Sequence, residues 1–194
     1  MNAGMRVLLL FVALLIVGCS PPPKFNATEL SGIDWGKDFA LTDHNGKPRR
    51  LADFKGRAVL MFFGYTQCPD VCPSTMGSMR ELMAKLGPDA ERVQVLFVTV
   101  DPERDTPQLL AQYVPVFHSS FLGLYGDAAA TAATAGEFKI FYRKQPGKTP
   151  STYTVDHTAG IYLFDPRGRL RLYIRHGETP ERMAQDIKRL LAGE

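Results

Sequence analysis

Apolar residues fall in two rhythms along this chain. Ala58-Val-Leu-Met-Phe-Phe63 and Arg92-Val-Gln-Val-Leu-Phe-Val-Thr-Val100 are near-continuous runs rich in β-branched and aromatic residues. Such runs predict central strands covered on both faces. Between them Met76, Met79, Leu82, Met83 and Leu86 recur at helical spacing across Ser74–Leu86. Together these segments predict a β-α-β unit.

The remaining patterns extend it. Asp38-Phe-Ala-Leu-Thr-Asp-His-Asn-Gly46 alternates apolar and polar residues and reaches Asn45-Gly46, a hairpin signal. Thr106–Phe117 predicts a helix with Pro107 in its first turn and Pro115 ending it. Phe121–Tyr125 reads as a short strand, followed by an alanine-rich helix from the cap Asp127 to about Phe138. Ile161–Phe164 and Leu170–Ile174 flank the turn Asp165-Pro-Arg-Gly168, a second hairpin. Thr179–Ala192 turns Met183, Ile187, Leu190 and Leu191 inward as a closing helix. The order hairpin, β-α-β, α/β insertion, hairpin, helix predicts an α/β, thioredoxin-like fold of peroxiredoxin type: a mixed sheet flanked by helices, with an N-terminal hairpin. A site is expected outside the carboxyl ends of the strands, where the loop after Phe63 already lies.

The N-terminus reads as a processing signal. Arg6 precedes Val7–Val17, an apolar run of eleven residues, shorter than the roughly 20 that a spanning helix needs. It ends Ile16-Val-Gly-Cys19, which resembles a bacterial lipoprotein cleavage site with Cys19 as the lipidated residue. Residues 1–18 are then a lipoprotein signal peptide, 19–35 a lipidated N-terminus and tether stiffened by Ser20-Pro-Pro-Pro-Lys24, and 36–194 the domain. With 194 residues, 45% of them hydrophobic, the chain suits one domain with a substantial core. Its net charge of +3 is spread among acidic residues, which argues against a nucleic-acid binder.

The chemistry concentrates in Phe63-Gly-Tyr-Thr-Gln-Cys-Pro-Asp-Val-Cys-Pro73. Cys68 and Cys72 enter a helix N-terminus, where free N–H groups favour thiolate. Four residues apart, they can face one side of a turn. They can form a soft metal site suited to copper(I), a redox disulfide, or a structural disulfide. Of the four histidines, His44 reads as a solvated turn residue, His118 as structural at a helix end, and His176 as a surface-loop residue. His157, in Thr154-Val-Asp-His-Thr-Ala-Gly160 directly before the second hairpin, is placed to meet the cysteine loop. Two thiolates and an imidazole suit Cu(I), Cu(II) with a fourth group, or zinc with water. Asp70 and Asp156 are candidates for orienting the ligands. Val100-Asp-Pro-Glu-Arg-Asp-Thr-Pro107 predicts a capped turn, with Asp105 or Thr106 as cap, which leaves open a second role for Asp101 near the metal.

Three stretches, Gly64–Pro73, Val100–Pro107 and Val155-Asp-His-Thr158, together resemble the Sco (SenC) family of copper chaperones for cytochrome c oxidase, from about residue 36 to the C-terminus. The resemblance implies copper held by Cys68, Cys72 and His157, with Asp101 matching the family's motif aspartate, and delivery to the dinuclear copper centre of oxidase subunit II. It implies a lipid-anchored protein on the periplasmic side of the bacterial inner membrane. A thiol-disulfide oxidoreductase using the Cys68–Cys72 pair on the copper-receiving protein is the alternative. A peroxidase would need one low-pKa cysteine beside an arginine.

Overall fold

The computed structural model describes residues 25–149 and 152–194. The expected signal peptide, Cys19 and the start of the tether lie outside them. Ten strands are present among the described residues: β1 (Thr28–Glu29), β2 (Leu41–Asp43), β3 (Pro48–Arg49), β4 (Ala58–Gly64), β5 (Val93–Thr99), β6 (Leu122–Tyr125), β7 (Tyr142–Gln145), β8 (Thr154–His157), β9 (Ile161–Phe164) and β10 (Leu170–Ile174). Four α-helices accompany them: α1 (Val71–Leu86), α2 (Pro107–Tyr113), α3 (Ala128–Glu137) and α4 (Pro180–Leu191). Eight strands form one mixed sheet in the order β1-β10-β9-β4-β5-β6-β2-β3.

The sheet centre is where the apolar runs placed it. Every residue of β4 and β5 is buried. They pair in parallel from Ala58 opposite Val93 to Gly64 opposite Thr99, while β9 runs antiparallel on the other side of β4. Successive side chains of β4 serve opposite faces. Phe62 packs against Phe97 on one face, and Phe63 meets Phe138 and Tyr162 on the other. α1 packs on α4, which also contacts β4, and their surfaces are joined by a Lys85–Glu181 ion pair at 2.6 Å. This is the thioredoxin-like α/β arrangement expected, including the edge hairpin β2–β3.

The element ends follow local chemistry. Thr106, not Asp105, caps α2, its hydroxyl accepting from Leu109 N–H. Asp127 and Thr179 cap α3 and α4 in the same way. Three features depart from the sequence reading. α1 begins at Val71, ahead of Ser74, because a proline at position 73 is tolerated within a first helical turn, where its missing N–H has no partner to lose. Packing already involves residues ahead of residue 36: Phe25 is buried, and Asn26 and Ala27 are bonded to Asp186 of α4. The stretch between α3 and β9, read as part of the α/β insertion, holds a separate two-stranded sheet, β7–β8, in which Tyr142 pairs with His157.

Candidate metal centre

β4 ends at Gly64, and the chain turns through Tyr65–Asp70 into α1. Cys68 lies in this loop and is half-buried; Cys72 lies in the first helical turn and is fully buried. The Cys72 backbone N–H, one of the free donors of the helix start, points to Cys68 Sγ at 3.4 Å. Gly64 makes room for the second sulfur: a Cβ there would meet Cys72 Sγ at 2.8 Å and Phe62 at 2.9 Å. Close approach, rather than an unusual backbone angle, is what requires glycine at this position.

His157 arrives from the end of β8. Its Nε2 lies 3.4 Å from Cys72 Sγ. One ligand atom each from Cys68, Cys72 and His157 fall within 4.8 Å of one another, and among the described residues they form the group able to hold a metal ion. His157 Nδ1 lies 3.0 Å from the Thr158 carbonyl oxygen. A carbonyl only accepts, so Nδ1 carries the proton and Nε2 presents its lone pair to the sulfurs. Burial holds the imidazole below its usual pKa, partly offset by the Thr158 carbonyl and Asp156, which keeps the ring neutral and ligand-ready near neutral pH. Phe62 and Tyr65 stand edge-on to the imidazole at 6.0 and 5.9 Å between centroids and fix its plane.

The expectation that the helix start would favour thiolate does not hold at Cys72. Burial pushes the Cys72 thiol far above its ordinary value, and neighbouring Cys68 adds to the shift. Desolvation of the charged form outweighs the helix dipole here. Both cysteines are free thiols.

An open cleft of about 360 Å³ exposes the site, lined by Tyr65, Cys68, Asp70, Val71, Asp156 and His157 among others. Asp70 is the residue before α1 and its carboxylate makes no cap bond. Asp156 is exposed and hydrogen-bonded by Gln145, its neighbour on the hairpin. Asp101 is fully buried and lies outside the donor group: it accepts from Arg104 Nε at 2.5 Å and from the Tyr153 hydroxyl at 2.6 Å. Asp105 carries a separate link, accepting from Thr66 Oγ1 at 2.6 Å and Thr99 Oγ1 at 2.7 Å, and so fastens the cysteine loop to the end of β5.

The other histidines stay away from the sulfurs. His176 bonds Thr75 Oγ1 at 3.1 Å, and His118 bonds Ser120. His44 is half-buried instead of solvated, its Nδ1 accepting from Gly123 N–H at 2.9 Å. The sequence reading missed Tyr65, Arg104 and Tyr153. The first two sit inside the motifs it singled out; Tyr153 carries no signal of its own.

Comparison with known proteins places this geometry in a family. A family model described as SCO1/SenC matches residues 27–192. The mitochondrial SCO2 homolog of Mus musculus is 40% identical over 157 residues, covering 80% of this chain and 62% of that protein. The chain thus spans about three-fifths of that relative's length. The Bradyrhizobium japonicum ScoI structure with copper bound superposes with a TM-score of 0.73 at 42% identity, over 79% of this chain and 97% of that one. The solution structure of apo Sco1 from Thermus thermophilus gives a TM-score of 0.77 at 41% identity, over 88% and 99%. With the match running through nearly all of the described fold and all three donors, the chain belongs to the SCO1/SenC family.

Proposed function

We propose that this domain is a copper metallochaperone that holds copper through Cys68, Cys72 and His157 and passes it to the dinuclear centre of cytochrome c oxidase subunit II. The observation that carries the reading is the convergence of two sulfurs and a neutral imidazole nitrogen within 4.8 Å, beside an open cleft that Cys68 and His157 line. Soft thiolates with one imidazole form a trigonal set suited to Cu(I). Cys68, half-exposed, is the point of entry; Cys72 lies behind it, and His157 closes the set from the hairpin. Transfer is ligand exchange: an incoming thiolate bonds the copper as one of these donors leaves, and the oxidation state is unchanged. Copper-bound relatives in the same family support the reading. Among the described residues no helix is long and apolar enough to cross a membrane. The tether is assigned to lipid on Cys19, on the periplasmic side of the inner membrane.

The test is anaerobic Cu(I) titration of the reduced domain against a competing chelator, beside His157→Ala. One tightly held copper per chain is expected, with affinity about tenfold or more weaker in the variant, the range for losing one ligand or its support. Unchanged affinity in His157→Ala would remove the basis of the site.

A second reading, thiol-disulfide exchange on the recipient's cysteines, is favoured by one observation: a half-exposed Cys68 stands in front of a buried Cys72, the arrangement of an attacking and a resolving thiol. It needs no histidine, so reduction of a target disulfide at full rate by His157→Ala would select it. A peroxidase reading finds no support. Cys72 is pushed up, and Arg104, whose guanidinium lies over Tyr65, is bonded to Asp101, Gln67 and Tyr153.

A further inference from the structure

Two of the three donors are placed by local structure, since Cys68 and Cys72 share one loop and helix start. His157 is not. It stands on a two-stranded sheet outside the main sheet, and an isolated hairpin is marginally stable in water. Some tertiary device must therefore keep the hairpin against the cysteine loop.

Arg104 stands where such a device would be. It follows β5, between the two other segments in space. Its Nη1 donates to Gln67 Oε1 at 3.2 Å, on the residue before Cys68, and to the Tyr153 carbonyl at 2.8 Å, on the residue before β8. Its Nε donates to Asp101 at 2.5 Å. The guanidinium carbon lies 3.6 Å from the centre of the Tyr153 ring and 5.7 Å from that of Tyr65, the ring that stands edge-on to His157. Lys144 Nζ lies 4.7 Å from the same Tyr153 ring and forms an ion pair with Glu103 at 2.5 Å. The Tyr153 hydroxyl closes the circuit on Asp101.

We infer that Arg104 is a positioning residue for the metal site, a clasp that holds the Cys68 loop and the His157 hairpin at ligand distance, with Asp101 acting through it rather than on the metal. This rests on the copper-binding reading above. A planar fork of donors can bond three partners in one plane while stacking on a ring; an ammonium group cannot. The arrangement is poorly explained by stability alone. The Arg104 side chain is only 13% exposed, and its buried Nη2 has no partner among the described residues, a recurrent cost in folding. Buried ion pairs of this kind are often replaced by apolar residues with no loss of stability.

The experiment compares wild type, Arg104→Met and Arg104→Lys, each alone and with His157→Ala. Three readouts are taken: metal-free amide exchange at Val155–Thr158, the ¹⁵N shift of the His157 imidazole on adding Cu(I), and Cu(I) affinity by chelator competition. Both single variants should speed hairpin exchange about tenfold or more, as expected when a local opening is released, while core strand amides stay protected. They should abolish the His157 ¹⁵N shift and weaken Cu(I) as much as His157→Ala does, with no further loss in the doubles. If Arg104→Met fails to fold, Arg104→Lys, which keeps charge and length, carries the test. Wild-type exchange at the hairpin overturns the clasp, as does a wild-type His157 shift in either variant. Should wild-type protein itself bind no copper, the copper reading fails, and the metal-free exchange still decides the clasp.

Discussion

At Cys72 two influences oppose each other. The start of α1 favours a thiolate, and complete burial favours the thiol; burial prevails and raises the pKa. The helix-start N–H is also directed at Cys68 Sγ, not at Cys72. The consequence for metal binding has a definite sign. A metal takes the thiolate, so the Cys72 proton must leave on binding. Near neutral pH this thiol is protonated and His157 is neutral, so copper entry releases at least the Cys72 proton and none from the imidazole. Apparent Cu(I) affinity should therefore rise about tenfold per pH unit or more between about pH 6 and 8. Below the lowered pKa of His157, protonation of the ring should weaken binding further. Chelator competition across that range, corrected for the chelator's own protons, reads the slope. A flat profile would mean that Cys72 enters the reaction already ionised.

At the scale of elements, one carboxylate of α4 gathers the donors of the N-terminal segment. Asp186 of α4 is buried and accepts from the Asn26 N–H at 2.9 Å, the Ala27 N–H at 2.9 Å and Asn26 Nδ2 at 3.0 Å. Asp186→Ala leaves half-buried donors without this acceptor and should cost about 2 kcal/mol, lowering the apo melting midpoint by about 4–8 °C. Copper affinity should not change, because β1 lies three strands from β4. An unaltered midpoint would show that the segment is not held through this carboxylate. The same elements show where sequence is legible. β4, β5 and α1 declare themselves because their burial is continuous or periodic, and the donors declare themselves because cysteine and histidine bring chemistry with them. Asp186 reads as one polar residue on an amphipathic helix; only the returning N-terminal segment gives it a task. β7 is Tyr-Arg-Lys-Gln with no buried residue, so no apolar rhythm marks it, and its pairing with β8 is a tertiary event. The clasp is invisible for the same reason: Arg104 lies in a motif that a capped turn already explains, while Tyr153 lies far along the chain.

For the whole molecule, the sheet order shows where the chain enters the fold. β9 runs antiparallel to β4, β10 to β9, and β1 to β10. β1 therefore runs antiparallel to β4, with Thr28 level, through Tyr173 and Tyr162, with Met61 midway along β4. Phe25 is packed just before it, and the short stretch from Cys19 to Phe25 reaches at most about 20 Å. Lipid on Cys19 would thus keep the domain within a short reach of the bilayer. The formal charge of +3 is too small and too dispersed to hold the domain there by electrostatics, which salt screens within about 10 Å. Burial of an acyl chain contributes about 0.8 kcal/mol per methylene and does not respond to salt in this way. The full chain in a bacterial host should accordingly sediment with membranes, resist high salt and be released by detergent. A version with Cys19→Ser behind a cleavable secretory signal should appear in the soluble periplasmic fraction with unchanged copper affinity. If salt alone frees the native protein, or the Cys19→Ser version stays with the membrane, the anchor is not this cysteine.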